Sequence, residues 1–238
     1  MSLISRTKLI IMNRLFIFII FLVGSGVSVS AQETETRSLS NFSEVSVGEA
    51  ITVILVPGSK NEAVLKVKNI DLDDVLTNVS GSRLKIELKG NNHRNTDVEV
   101  TLTYKSIDAI SVSSAADVFT RGPIKSASLE ISVSSAGDAE LDIVAEEVEV
   151  DVSSAGDLVL TGVTASQRAS VSSAGDYDAY DLKCDEAYVR TSSAGSARVN
   201  ASKKIDAKAS SGGSIRYKGN PDKVYVSSNS GGDVNHSN

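Results

Sequence analysis

The sequence predicts an all-β fold: a right-handed single-stranded β-helix (solenoid) with coils of about 19 residues and an irregular N-terminal β portion. Three observations lead to this prediction. A five-residue motif of the type Ser-Ser-Ala-Gly-Asp recurs at a nearly constant period, and the segments between the motifs alternate apolar and polar residues. No stretch after residue 31 keeps a helical period over three turns. Fixed periods of roughly 20 residues are typical of stacked repeat architectures.

The order of segments along the chain follows from these patterns and from the composition of the ends. We predict a signal peptide (1–31), a flexible lead-in (32–40), a single solenoid domain (41–234) and a tail (235–238). Within the solenoid domain, residues 41–110 form the irregular N-terminal half, and residues 111–234 carry the repeated motif.

The first 31 residues have the three parts of a secretory signal peptide. Residues 12–14 (MNR) supply a positive charge, residues 15–23 are apolar throughout, and residues 29–31 (VSA) offer small side chains for cleavage. The apolar run is shorter than the roughly 20 residues that a membrane-spanning helix needs. We therefore predict an exported protein, periplasmic, on the outer cell surface or secreted, with no membrane insertion after the signal is removed.

The composition excludes several classes of partner and of stabilising bond. The signal segment carries three basic residues and no acid, so its removal takes the formal net charge from −6 to −9. So acidic a protein is a poor match to nucleic acid, and we expect none as a partner. The single cysteine, Cys184, excludes an internal disulfide, and we expect it to be a small buried hydrophobe.

Seven copies of the motif define the predicted corners of the solenoid. Their first residues lie 21, 19, 19, 20, 18 and 19 positions apart. The copies are Ser113–Asp117, Ser134–Asp138, Ser153–Asp157, Ser172–Asp176, Ser192–Ser196, Ser210–Ser214 and Asn229–Asp233. Equivalent strands of successive coils should pair in parallel about 4.8 Å apart, and parallel crossovers are almost always right-handed.

The segments around the corners read as strands and turns. Glu147–Val152 alternates acid and valine, as expected of a strand with one buried face. The segment VSGS at 79–82 predicts a hairpin turn. A β-sandwich of hairpins is the competing architecture, but it does not explain an identical corner at every second turn. The corner glycines are expected to have positive φ angles; they are Gly137, Gly156, Gly175 and Gly195.

Both halves of the chain resemble one known family. The resemblance lies in Phe42–Val47, Ala50–Val56, Asp74–Lys89 and the repeated VSSAGD corners. On these residues the chain resembles the putative auto-transporter adhesin head GIN domain, over about residues 40–234. The resemblance implies a right-handed β-helical fold, export by Bacteroidetes-like bacteria and an adhesin function. It implies no catalytic residues.

Catalytic and metal-binding patterns are scarce. A serine hydrolase needs one special serine with a histidine base, but the serines are repeated as equals, and only His93 and His236 are present. One cysteine and two distant histidines cannot form a closed zinc site. We therefore predict that the protein is not an enzyme. The alternative is a polysaccharide-active lyase or hydrolase, because right-handed β-helices also host such enzymes.

Four aspartates at equivalent corner positions are the candidate ligand-binding residues: Asp117, Asp138, Asp157 and Asp176. Stacked carboxylates repel one another, so each should either turn outward and accept hydrogen bonds from its own turn or share a ligand. Such a ligand would be Ca²⁺ or a cationic or hydroxyl-rich surface. The first interpretation is favoured, and no cofactor or metal is predicted. Tyr180, Tyr188 and Arg190 are a second candidate, as a small exposed patch.

The sequence thus predicts a non-enzymatic exported binding or structural module, adhesin-like, that presents a repetitive solenoid surface. Its partner would be a cell-surface or extracellular glycan or protein. Val224–Ser228 should form a strand of the last coil with an uncovered edge, which predicts weak self-association there.

Overall fold

The computed structural model describes residues 32–90 and 95–237, and within them the protein is all-β. The predicted signal peptide and His93 lie outside these residues. One 3₁₀ turn, Leu72–Asp74, is the only helical element in the described part of the chain, so no helix there is long and apolar enough to span a membrane. The strands are β1 Glu33–Ser38, β2 Glu44–Val47, β3 Thr52–Pro57, β4 Glu62–Lys68, β5 Val75–Ser80, β6 Arg83–Leu88, β7 Asp97–Tyr104, β8 Ala109–Val112, β9 Asp117–Thr120, β10 Ile124–Val133, β11 Asp138–Val152, β12 Asp157–Val171, β13 Asp176–Ala179, β14 Leu182–Thr191, β15 Ser196–Asn200, β16 Lys204–Ala209, β17 Ser214–Lys218, β18 Lys223–Ser228 and β19 Asp233–His236.

Most strands lie on one of two faces, which we name by their position relative to the corners. The leading face is made of the strands that run into a corner: β6, β2, β8, the second halves of β10, β11, β12 and β14, then β16 and β18. The trailing face is made of the strands that leave a corner: β7, β3, β9, the first halves of β11 and β12, then β13, β15, β17 and β19. Neighbours within each face pair in parallel. The result is a solenoid of about seven turns with coils about 19 residues apart, as predicted; the right hand of its winding stays a prediction.

Each motif folds as a tight turn whose two central residues are left-handed. At the second corner, Ser135 and Ala136 have φ angles of 52° and 57°, and the Gly137 N–H donates to the Ser134 carbonyl at 2.9 Å, as in a type I′ turn. The left-handed conformation costs about 1–2 kcal/mol for a residue with a side chain. Successive corners offset this cost by bonding to each other, since the Ala136 N–H donates to Ser154 O at 3.1 Å. Equivalent bonds join the neighbouring corners into a corner ladder.

The prediction of positive φ at the corner glycines is therefore wrong: Gly137, Gly156, Gly175 and Gly195 are not among the residues with positive φ. These positions need glycine because the neighbouring coil comes too close. A Cβ on Gly156 would lie 2.8 Å from the Val133 carbonyl oxygen. The glycine allows two backbones to approach at the bend, and the serine and alanine before it carry the unusual dihedral angles.

The N-terminal half is less irregular than predicted. The chain from β2 to β3 forms a coil with the same corner, in which Glu49 and Ala50 have φ angles of 63° and 55°. The Ala50 N–H donates to Ser114 O, so this corner continues the ladder by one step. The predicted hairpin turn at 79–82 is confirmed, because β5 and β6 pair antiparallel from Ser80 opposite Arg83.

Antiparallel strands extend the trailing face at the N-terminal end of the solenoid, and here the prediction of a flexible lead-in is wrong. Strand β1 pairs with β4, which in turn pairs antiparallel with β7. The Arg37 side chain holds β1 in place by donating to the carbonyl of Leu72 at 2.9 Å and by pairing with Glu35 at 2.6 Å. The predicted tail is also partly a strand, because β19 includes Asn235 and His236.

The core is aliphatic and fills the space between the two faces. Inward side chains of the strands are buried, including Val148, Val150 and Val152 of the alternating segment. Cys184 is buried as expected, and burial raises the pKa of its thiol to about 11. Tyr177 is fully buried and donates a hydrogen bond to Gln167 Oε1 at 2.8 Å.

Candidate functional site

The four predicted aspartates do form one row on the trailing face. Asp138 pairs in register with Asp117 on one side and with Asp157 on the other, and Asp157 pairs with Asp176. The row ends at Ser196 in the next coil. The structure thus brings all four carboxylates together, one coil apart.

The backbone of the corners does not neutralise this row in the predicted way. At the second corner the N–H groups of Ala136, Gly137 and Asp138 all donate to backbone carbonyls, so these donors are unavailable to the Asp138 carboxylate. Burial, and next the charge of Asp117, raises the pKa of Asp138. Burial and the charge of Asp176 likewise raise the pKa of Asp157. The row therefore combines partial burial with repulsion at its centre, which Arg198 offsets only in part at Asp157.

An arginine forms an ion pair with the aspartate row at its C-terminal end only. The Arg198 guanidinium lies 3.1 Å from an oxygen of Asp178 and 3.6 Å from an oxygen of Asp176. Within residues 32–90 and 95–237, no three His, Cys, Asp or Glu side chains converge as they would around a metal ion. The geometry of the described row therefore gives no support to a Ca²⁺ site.

The leading face carries a groove of about 520 Å³ that the sequence reasoning missed. It crosses five coils, because residues paired in parallel register line its floor. One line of outward side chains runs Glu130, Glu149, Arg168, Tyr188, Asp206, and the line beside it runs Ser132, Asp151, Ser170, Arg190.

Four charged side chains in this groove are free of ion pairs within the described part of the chain. Among the described residues, no ion pair joins Glu149, Asp151, Arg168 or Arg190 to another side chain. Carboxylates of Glu130, Glu149 and Asp151 lie toward the N-terminal end of the groove, and the guanidinium groups of Arg168 and Arg190 follow them. Asp206, at the C-terminal end, is paired with Lys208 at 3.7 Å. The groove can therefore accept hydrogen bonds in its first coils and donate forked pairs in the coils that follow.

Tyr188 lies between two cationic side chains in this groove, so neither face of its ring is free. The Arg168 guanidinium carbon lies 5.0 Å from the ring centroid, and Lys204 Nζ lies 4.6 Å from it. The hydroxyl group donates to Glu186 at 2.7 Å. Stacking on Arg168 restrains that side chain in the groove without using its N–H donors.

The predicted aromatic patch is divided by the fold. Tyr188 and Arg190 both line the groove, but Tyr180 follows β13 on the trailing face. There its hydroxyl group lies 3.0 Å from Ser237 Oγ, and Lys218 lies 5.1 Å from its ring. One sequence signal could have located the groove: a shift of 19 residues from Glu149 leads to Arg168, and a further 20 residues lead to Tyr188.

Comparisons with known proteins agree with this architecture. The sequence model of the family described as "Putative auto-transporter adhesin, head GIN domain" matches residues 41–221. No curated protein matches.

Solved structures with the same fold include three from Bacteroides fragilis and Parabacteroides distasonis. The first, a putative adhesin from B. fragilis, is 19% identical with a TM-score of 0.76, over 87% of this chain and 97% of that chain. A putative adhesin from P. distasonis is 19% identical with a TM-score of 0.70, over 88% of this chain and 98% of that chain. A putative lipid binding protein from P. distasonis is 20% identical with a TM-score of 0.69, over 87% and 97%. At these identities the likeness extends to the fold alone.

Proposed function

Because the chain belongs to the family of the putative auto-transporter adhesin head GIN domain, we propose that it is a non-enzymatic exported binding module that acts in an adhesin-like way. The observation that carries this proposal is the groove of the leading face, where Glu149, Asp151, Arg168 and Arg190 lie in adjacent coils and form no ion pair among the described residues. The protein would act in the periplasm, on the outer cell surface or in the medium, through many weak contacts presented together.

The ligand of the groove is a glycan that carries an acidic group among its hydroxyl groups. Arg168 and Arg190 would hold the acid, since a guanidinium group binds a carboxylate through two parallel hydrogen bonds. Glu149 and Asp151 would accept hydrogen bonds from hydroxyl groups one or two coils away.

A peptide partner fits the groove less well than a glycan. The strands under the groove pair with a neighbour on each side, so an extended peptide has no free backbone edge to extend. Recognition in the groove therefore depends on side chains. The covered ring of Tyr188 excludes sugar stacking, which leaves charge and hydrogen bonding as the source of specificity.

The proposal can be tested by displaying residues 32–238 in many copies on beads and measuring how the beads bind to glycan arrays and to whole cells. We expect binding to acidic glycans, and a loss of about tenfold with Arg168→Gln or Arg190→Gln, as one charge-assisted hydrogen bond is removed. Arg216→Gln is the matched control, because Arg216 is an exposed arginine on the trailing face. Binding should not change when Ca²⁺ is replaced by a chelator.

Four results would contradict the proposal. An absence of glycan and cell binding would overturn the binding function, and an equal loss with Arg216→Gln would overturn the groove as its site. Cell binding that disappears after protease treatment of the cells would point to a protein ligand. Release of shortened or unsaturated sugars would assign the chain to the polysaccharide-active enzymes instead.

A further inference from the structure

Among the described residues, nothing covers the last coil of the solenoid. All six residues of β18 are exposed, and the inward side chains Val224 and Val226 keep 47% and 52% of their surface in solvent. Their register partners in the preceding coil, Ile205 and Ala207, are completely buried. The exposed valines therefore occupy positions that belong to the core in every coil that has a neighbour.

The edge of this coil also has free backbone groups. Strand β18 pairs with β16 and β19 pairs with β17, so the other side of each strand carries unpaired N–H and C=O groups in the described part of the chain. Edges of this kind are templates for pairing with another strand. Charged residues that could block pairing are few, since β18 contains only Lys223.

The N-terminal end does not expose a matching apolar surface. Its edge strands β1 and β5 also pair on one side only among the described residues, but Val75 of β5 is completely buried, and Leu39, Ile70, Leu72 and Val79 pack against the core there. A head-to-tail stack would have to use this end. The unpaired backbone groups and exposed valines of the open end can be covered by the same end of a second copy. Such a contact between identical surfaces is twofold symmetric.

We propose that two copies of the chain associate end to end through their last coils, with β18 antiparallel to the same strand of the second copy. A register centred on Val226 keeps the inward side chains of both copies on the core side. It places Val226 opposite Val226 and Lys223 opposite Asn229, so no like charges face each other. The contact area is that of one coil end, which makes the dimer weak and concentration-dependent.

Sedimentation velocity on residues 32–238, from micromolar to millimolar concentration, tests this contact. Wild-type protein should shift from monomer to dimer, and Val226→Lys should remain monomeric because it sets two ammonium groups against each other on the twofold axis. Val163→Lys is the matched control: this valine is 48% exposed but lies in β12, far from the end, and should dimerise like the wild type. Circular dichroism melts verify that each variant folds.

A second variant reports the geometry directly. Val226→Cys should form an intermolecular disulfide quickly with a mild oxidant, whereas Val163→Cys should not. A wild-type protein that stays monomeric at millimolar concentration would overturn the proposal. Equal dimerisation of the two lysine variants, or equal crosslinking of the two cysteine variants, would do the same.

Discussion

Replacing Asp157 by Asn should stabilise the protein, because the aspartate row stores repulsion. Two charges about 4.8 Å apart repel by about 0.9 kcal/mol at the dielectric constant of water. Asp157 has two such neighbours, but Arg198 offsets the charge of Asp176. Arg198 leaves part of the repulsion from Asp176 and Asp138 in place, and solvent screening reduces it further. We expect a gain of about 0.5–1 kcal/mol, or roughly 1–4 °C in melting temperature for a domain of this size.

Thermal and urea unfolding of Asp157→Asn beside wild type measure this gain. The raised pKa of Asp157 means that the native state holds this proton more tightly than the unfolded state. Ionisation therefore costs stability as the pH rises above the ordinary carboxyl range, so the gain should be present at pH 7 and shrink toward pH 4. Added salt should also reduce it.

Asp151→Asn is the matched control, because the register neighbours of Asp151 are the uncharged Ser132 and Ser170. It should leave the melting temperature nearly unchanged. If Asp157→Asn were no more stable than wild type at pH 7 and low salt, or if Asp151→Asn stabilised equally, repulsion along the row would not be the cause.

Two further predictions concern the corners and the core, and both are measured by urea unfolding. Gly156→Ala should cost about 1–3 kcal/mol, because the new Cβ meets the Val133 carbonyl. Gly48→Ala should be nearly neutral, since Gly48 has no positive φ and the nearest atom to its new Cβ, Ser113 Oγ, lies at an ordinary contact distance of 3.8 Å. Equal costs for the two variants would contradict the close-approach explanation. Tyr177→Phe should cost about 1–3 kcal/mol by leaving Gln167 Oε1 buried without a donor, and adding Gln167→Met should recover part of that loss. No recovery in the double variant would show that the loss comes from packing.

The sequence predicted the repeated part of the fold well, for a physical reason. In a solenoid each residue pairs with the equivalent residue one period away, so the spacing of the repeats predicts which residues pair. The coil of β2 and β3 escaped this reasoning because its neighbour on the leading face, Val112, lies far along the chain from Val47. Strands β4 to β7 lie between them in the sequence, so these two coils are not separated by the 19-residue period.

The site was predicted only in part. The aspartate row was found because its members share one motif position. The groove was not predicted, because Glu149, Arg168 and Arg190 come from different coils and do not repeat one residue type at one motif position. Polarity was misleading at residues 32–40, where alternating polar side chains belong to an edge strand and Arg37 fixes its position. Local preference also failed at the corners, where hydrogen bonds between coils allow serine and alanine to adopt angles that usually favour glycine.

The choice of residues at the corners affects how the protein ages. Tight turns of this kind are most often built from Asn-Gly, and that pair is also the one most prone to spontaneous deamidation, in which the side-chain amide is lost through a cyclic imide. The central pairs here are Ser-Ala, as in Ser135-Ala136, with Ser-Gly in the last two corners and Glu49-Ala50 in the first. None of them contains an amide side chain. The backbone energy spent on left-handed alanine thus gives the protein corners that do not decay by this route.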